Sequence, residues 1–286
     1  MKNFKFILIL CLLSVYGCAK PTSYEDYLPY YSPPVYPTPP PVSIITDGIK
    51  VKLANASGKT KISGYETIAK GNKSKKGILD STHKWNIRVE NNLVYSKNTY
   101  DNNVIFSNKR ETFSMEFDCI HEFNGKEIKL EYTGDSSNRT IVSKMMPDYI
   151  KNKISMIGKK IKTNDVFNNS LDIYSQTLKK ILPPDIPLKS AEIVKGLGSY
   201  KNKKVLVTEI TKYLRITDPS ISKNVFALRG RGYKLYDPET FIELYGKEVI
   251  SIYSFSQERD DLHVVLETIR ETTDIEVTNI IDEPPI

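Results

Sequence analysis

The strongest constraint on the fold is an alternation of apolar and polar residues between turn-forming residues, which runs through most of the chain after residue 44. Period-two patterning of this kind is the mark of antiparallel strands. Its clearest unit is built on Asn124-Gly125, a dipeptide suited to a two-residue type I′ turn. That turn would set Phe123 opposite Lys126, His121 opposite Ile128, Cys119 opposite Leu130 and Phe117 opposite Tyr132. One face of the hairpin then collects Phe117, Cys119, His121, Ile128, Leu130 and Tyr132. The other carries Glu116, Asp118, Glu122, Glu127, Lys129 and Glu131, so Asp118 meets Glu131 and Glu122 meets Glu127. Like charges across a ladder repel. With 41 Lys and Arg in the chain, neighbouring lysines relieve that repulsion more simply than a bound Ca²⁺.

The same patterning predicts strands at Gly48 to Leu53, Lys84 to Glu90, Asn92 to Ser96 and Val104 to Ser107, then at Ala191 to Lys195, Lys204 to Thr211, Asn224 to Tyr236 and Phe241 to Phe255. Asp237-Pro-Glu-Thr240 reads as a type I turn. It pairs Tyr236 with Phe241, Leu235 with Ile242, Lys234 with Glu243, Tyr233 with Leu244 and Gly232 with Tyr245. Residues 262–277 fit a helix through Leu262, Val265, Leu266 and Ile269, but their β-branched content and the Arg259-Asp-Asp261 turn favour a strand. Between the two β regions, Met146-Pro-Asp-Tyr-Ile suggests a short helix start. Phe167, Leu171, Tyr174, Leu178 and Ile181 fall on one helical face, predicting a helix over 165–182 that Pro183 and Pro184 stop. The expected fold is mostly β with minor α: a curved antiparallel sheet, half-barrel or sandwich-like, with one or two packed helices. Its parts are an antiparallel region over 44–143, a helical insert over 144–190, and a second antiparallel region over 191–286 that would complete one domain with the first or stand apart.

The N-terminus reads differently. Lys2 and Lys5 precede the apolar run from Phe6 to Val15, which is too short for a settled membrane span, and small Gly17 stands before Cys18. Val15-Tyr16-Gly17-Cys18 resembles the lipobox of bacterial lipoproteins, with Tyr16 where that pattern has a small residue. The resemblance implies a signal peptide over 1–17 and acylation of Cys18, so that the cell envelope is the site of action. Ala19 rather than Asp after the cysteine implies the outer membrane. A lipidated tether over 18–43 follows. Seven prolines between Pro29 and Pro41 favour an extended spacer of roughly 40 Å over a docking motif. Loss of Cys11 and acylation of Cys18 leave Cys119 as the one thiol, so the fold rests on packing without an internal disulfide.

Formal charge is +7, falling by two with Lys2 and Lys5, yet residues 258–286 hold nine carboxylates against Arg259 and Arg270. The lysines are dispersed, which disfavours nucleic acid as a partner. Gly198-Ser-Tyr-Lys-Asn-Lys-Lys204, the strand Val205 to Ile210 and the stretch Ala227 to Thr240 are similar to exported half-barrel domains of the lipoprotein-carrier and receptor type. That resemblance implies a curved sheet able to hold acyl chains. An apolar pocket would be lined by Phe117, Leu130, Phe167, Leu171 and Tyr174.

No catalytic group stands out. Cys119 and His121 read as a core thiol and a core histidine, His121-Glu122 lacks the second histidine of a zinc protease, and neither a nucleophile elbow nor a phosphate loop is present. No metal or cofactor is called for. Arg229 and Arg231 share one side of a strand and offer an anion contact, though two exposed strand residues beside glycines are the simpler reading. The leading function is a non-catalytic, membrane-anchored lipoprotein that binds a protein partner or an acyl-chain ligand. The alternatives are a structural subunit of a surface or secretion assembly and a periplasmic hydrolase working through carboxylates.

Overall fold

The structure is a computed structural model, described over residues 34–70, 73–106, 109–123, 126–134, 154, 156–167, 189–216, 225–255 and 262–281. The described residues form thirteen strands: β1 (Ile49–Lys50), β2 (Leu53–Lys70), β3 (Lys73–Glu90), β4 (Leu93–Phe106), β5 (Lys109–Glu122), β6 (Glu127–Thr133), β7 (Lys160–Ile161), β8 (Val166–Phe167), β9 (Lys189–Tyr200), β10 (Lys203–Ile216), β11 (Val225–Tyr236), β12 (Glu243–Phe255) and β13 (Leu262–Ile281). Eleven of them make one curved antiparallel sheet in the order β6-β5-β4-β3-β2-β13-β12-β11-β10-β9-β8, while β1 and β7 pair separately. Because β13 lies between β2 and β12, the two β regions of the sequence belong to one sheet. Residues 262–277 are strand, as the β-branched content predicts.

Local chemistry explains the hairpins. Asn91 and Asn92 take φ of 51° and 64°, and Lys201 and Asn202 take 47° and 62°. Two left-handed residues in succession make the turn whose twist matches the flanking strands, so Glu90 faces Leu93 and Tyr200 faces Lys203. The Asn124-Gly125 turn lies outside the described residues. The ladder it was expected to set holds for Phe117 with Tyr132, Asp118 with Glu131 and Cys119 with Leu130. A bulge between Ile120 and His121 then breaks it: His121 faces Glu127 rather than Ile128, and Ile128 is half exposed on an edge strand. The charges sort as lysines allow, with Lys97 2.8 Å from Glu116, Lys129 2.6 Å from Glu131 and Lys126 3.7 Å from Glu122.

The second hairpin departs further from expectation. Asp237 to Ile242 form a six-residue loop closed by Asp237 N–H to Ile242 O (2.9 Å), with Asp237 Oδ1 accepting from the Glu239 and Thr240 amides. Phe241 takes φ of 54° and stacks on Tyr236 at 4.2 Å. Tyr236 therefore faces Glu243, Leu235 faces Tyr245 and Gly232 faces Glu248, so no aromatic covers Gly232. A Cβ at Gly232 would sit 2.4 Å from the Lys247 carbonyl oxygen. Glycine is needed there because β11 and β12 approach so closely.

Residues opposite one another share a face. The inner face is the one that packs against residues 154–161. Val94, Phe117 and Cys119 pack with Ile154 at one side, and Val194, Leu206 and Tyr236 pack with Ile45, Val51 and Ile161 at the other. Backbone bonds pin this crossing segment, from Val51 N–H to Lys159 O and from Gly158 N–H to Val51 O. Apart from a single helical residue at Ile154, the described residues from 154 to 167 form turns, β7 and β8 where a helical insert was expected. Val166–Phe167, the start of the predicted 165–182 helix, is a strand paired with Ile193 and Glu192; the rest of that helix and the Met146 start lie outside the described residues. The predicted Gly48 to Leu53 strand is interrupted: only Ile49–Lys50 pair with β7 before β2 begins.

The proline-rich segment is not a free spacer over its described part. Ser43 bridges Leu197 on β9, with amide bonds of 2.8 and 2.9 Å in the two directions. Residues 34–42 continue from there over the outer face. A Cβ at Gly198 would meet the Pro41 carbonyl at 3.2 Å, and the Tyr36 ring lies 5.8 Å from the Arg231 guanidinium.

Candidate functional site

The inner face combines an aliphatic surface with a band of buried charge. Ladder register aligns Ile252 with Val264 and Ile68, then Ile250 with Leu266 and Glu66, then Thr268 with Gly64, Leu79 and Val104. Ile250 is buried, and Ile252, Val264, Leu266, Ile68, Leu79 and Val104 are half-buried. A half-buried aliphatic stretch spread over β12, β13, β2, β3 and β4 has the chemistry to receive an apolar chain. Glu66 is the carboxylate set into it, and burial pushes its carboxyl above the usual range.

Beside this surface the charges are compensated. Glu192 accepts from Thr208 Oγ1 at 2.6 Å and Tyr236 OH at 2.7 Å, and Lys234 stands 3.5 Å away. Lys234 also reaches Glu243 (3.6 Å), which Arg270 approaches at 3.9 Å. Lys212 and Glu248, whose side chains are 3% and 4% exposed, form an ion pair across β11. They meet diagonally over Gly230 and Gly232, the glycines opposite them, where side chains would block the path. Burial pushes the Lys212 ammonium down to about 8, with Glu248 opposing that shift. Each of these charges has a partner, so the band fixes strand packing rather than offering a vacant charge.

Of the pocket residues expected from the sequence, the described ones fall in two clusters. Phe117 is buried beside Val94, Cys119 and Ile154, with Leu130 packed against that cluster. Phe167 belongs to the cluster of Val194 and Leu206, edge-on to Phe241 at 5.8 Å. Leu171, Tyr174 and Cys18 lie outside the described residues. Cys119 and His121 are both buried, and burial first, then Glu127 and Asp118, push the thiol up to about 12. A thiol held that high stays protonated and is a poor nucleophile. Among the described residues no group of three or more His, Cys, Asp or Glu is placed to hold a metal.

Arg229 and Arg231 share the outer face, as residues two apart on a strand do, and both are exposed there. They face the proline-rich segment: burial and Tyr253 raise the Tyr36 hydroxyl, and both arginines oppose that rise. Sequence reasoning missed what lies beneath. Tyr253 stacks on His263 at 4.1 Å, and His263 Nε2 lies 3.1 Å from Ser251 Oγ. Burial pushes His263 down to about 4. Ser251 has no exposed surface, so this pair meets no substrate in the folded state. A signal was present in the β12–β13 alternation, which sets Ser251, Tyr253 and His263 on one face.

A polar depression of about 430 Å³ opens where β3, β4 and β5 run side by side, lined by Asp80, Thr82, Asp101, Asn103, Thr112 and Ser114 among others. Asp101 accepts from Ser114 Oγ at 2.7 Å, and Asn103 Oδ1 accepts from Arg110 Nε at 2.9 Å.

No family model matches the chain, and no curated protein matches it. Among solved structures it is similar to a lipovitellin structure concerned with lipid–protein interactions, at a TM-score of 0.45 and 10% identity, covering 79% of this chain and 26% of that one. It thus spans about a quarter of that protein. A DUF1329 family protein from Desulfovibrio piger has a TM-score of 0.17 and 8% identity, with 77% of this chain and 86% of the other covered. Both scores fall short of a shared fold, so neither likeness says what this chain binds.

Proposed function

We propose that the chain is a non-catalytic envelope lipoprotein, anchored through acylated Cys18 at the outer membrane, whose inner sheet face takes up an acyl chain or a similar apolar ligand. The observation that carries the reading is the half-buried aliphatic surface of Val264, Leu266, Ile68, Leu79 and Val104 on one face of a curved sheet. Folding has removed only part of that surface from water, and about 25 cal/mol per Å² of apolar area is gained when a ligand covers the rest. The lipobox resemblance supports the anchor, and two or more acyl chains would make it firm.

The test uses protein beginning at residue 19, so that its own lipid is absent. It should copurify with extractable acyl chains, and a fluorescent fatty acid should bind and be displaced by unlabelled lipid. Leu266→Glu should weaken binding at least tenfold while leaving the far-ultraviolet circular dichroism of a β protein. If wild-type protein carries no lipid and binds no fatty acid, the ligand reading is wrong. Separately, mass spectrometry of the membrane-extracted protein should show an acylated N-terminal cysteine at position 18, and an unmodified N-terminus would remove the anchor.

A further inference from the structure

We infer that Glu66 selects what the inner face binds, taking an amphiphile whose head carries a primary ammonium in preference to an alcohol or a fatty acid of the same chain. The inference rests on the reading of that face as an acyl-chain site. Glu66 stands on β2 between Leu266 of β13 and Gly77 of β3, with Gly64 and Ile68 on either side of it along the same face. None of these has a side-chain donor. Of the diagonal neighbours, Thr268 and Lys75 carry one, and neither is hydrogen-bonded or ion-paired to Glu66. Among the described residues this half-buried carboxyl therefore has no polar partner, whereas Glu192, Glu243 and Glu248 of the charged band each meet a lysine.

A carboxyl set in apolar surroundings without a donor is costly, and a ligand lying on the aliphatic surface raises that cost by taking away the water that remains. Burial is the influence that raises the Glu66 carboxyl, and no neighbouring charge opposes it. The head of the ligand therefore decides the net gain. A fatty acid brings a second carboxylate, and two like charges in one apolar site cannot both stay ionised. An alcohol brings a neutral donor. A primary ammonium brings a charge-assisted donor together with the opposite charge, and that attraction strengthens where water is excluded. The tail then covers Leu266, Ile68 and Leu79, as the acyl-chain reading requires. Lys75 is the nearest cation by register on this face, but it is exposed and keeps its own hydration. The positive net charge of the chain attracts anions, so non-specific attraction would produce the reverse order.

The test is displacement of a neutral fluorophore, diphenylhexatriene, from protein beginning at residue 19 by dodecylamine, dodecanol and dodecanoate, each below its micellar concentration at pH 7. Dodecylamine should act at a concentration about tenfold or more below that of dodecanol, because a hydrogen bond between charged groups is the stronger kind, and dodecanoate should be the weakest. Glu66→Gln should erase the advantage of the amine while leaving dodecanol unchanged, and Glu66→Lys should transfer it to dodecanoate. Lys75→Ala should alter neither, and circular dichroism checks the fold of each variant. Equal displacement by the three amphiphiles, or an amine preference that survives Glu66→Gln, would overturn the inference and leave the acyl-chain reading standing. If wild-type protein takes up neither the fluorophore nor any of the three, the acyl-chain reading falls and this inference with it.

Discussion

Replacing Glu248 by Gln would remove the carboxylate that opposes the burial of the Lys212 ammonium, whose side chain is 3% exposed. Removing one partner of a buried ion pair costs about 3–5 kcal/mol, because the remaining charge is neither solvated nor matched. That is a large share of the roughly 5–15 kcal/mol by which domains are stable. Replacing both partners by apolar residues, Lys212→Met with Glu248→Leu, removes the desolvation along with the attraction and should be neutral or stabilising by up to about 4 kcal/mol. The pH dependence separates the two. Lys212 is held at about 8 against an ordinary 10.5. Between those values the unfolded chain keeps the proton that the folded chain has released, so this group makes stability rise with pH across that window. The gap converts to about 3 kcal/mol at the upper end. Urea unfolding followed by the fluorescence of Trp85, the one tryptophan, would measure each variant at pH 7 and pH 9.5. The wild type should gain stability relative to the double variant between the two pH values, and groups common to both cancel. A Glu248→Gln loss below about 1 kcal/mol, or parallel pH profiles for wild type and double variant, would refute the reasoning.

Glu66 predicts the opposite trend: its folded carboxyl holds a proton to higher pH than the ordinary 4.5, so its contribution falls as pH rises through and above that value. Glu66→Gln should therefore melt higher than wild type at pH 7, with the difference vanishing below pH 4 by calorimetry. Gly232→Ala drives a methyl into the Lys247 carbonyl and should cost at least about 1–3 kcal/mol in the same urea assay. Tyr36→Ala should release the proline-rich segment from Arg231, seen as faster proteolytic cleavage within residues 34–43, whereas an unchanged rate would mean that Tyr36 does not hold it.

Much of the sheet was legible because β-hairpins carry their own signals. Lys201-Asn202 falls in a stretch of turn-forming residues, and the Phe117 to Ile120 register is the one the Asn124-Gly125 dipeptide sets for a two-residue turn. The bulge at His121 has no such signal, since one extra residue leaves the composition unchanged. The β11–β12 register was lost for a related reason: Asp237-Pro-Glu-Thr240 has turn chemistry, but the stacking of Phe241 on Tyr236 extends the loop to Ile242. The aliphatic surface of Ile68, Leu79 and Leu266 was not singled out because those residues sit among Lys, Thr and Glu in long strands, while Phe117, Leu130 and Phe167 are the more prominent apolar residues. Proline content read as a spacer, since the groups that receive residues 34–43, Leu197 and Arg231, are some 150 or more residues away in sequence. Acylation at Cys18 rests on the sequence resemblance.

The placement of β13 between β2 and β12 has a kinetic consequence. Leu262–Ile281 pairs along almost its whole length with Leu53–Lys70, about two hundred residues earlier, and this ladder is the seam between the two halves of the sheet. Contacts so distant in sequence form slowly, because loop closure must precede any gain from pairing. Until that strand emerges from the ribosome, β2 and β12 each present a long open edge, the state most exposed to aggregation. Among the described strands, the one made last joins the two halves of the sheet. A chain lacking residues 262–281 would leave two separate half-sheets, and a holding chaperone would matter most in the interval before β13 arrives.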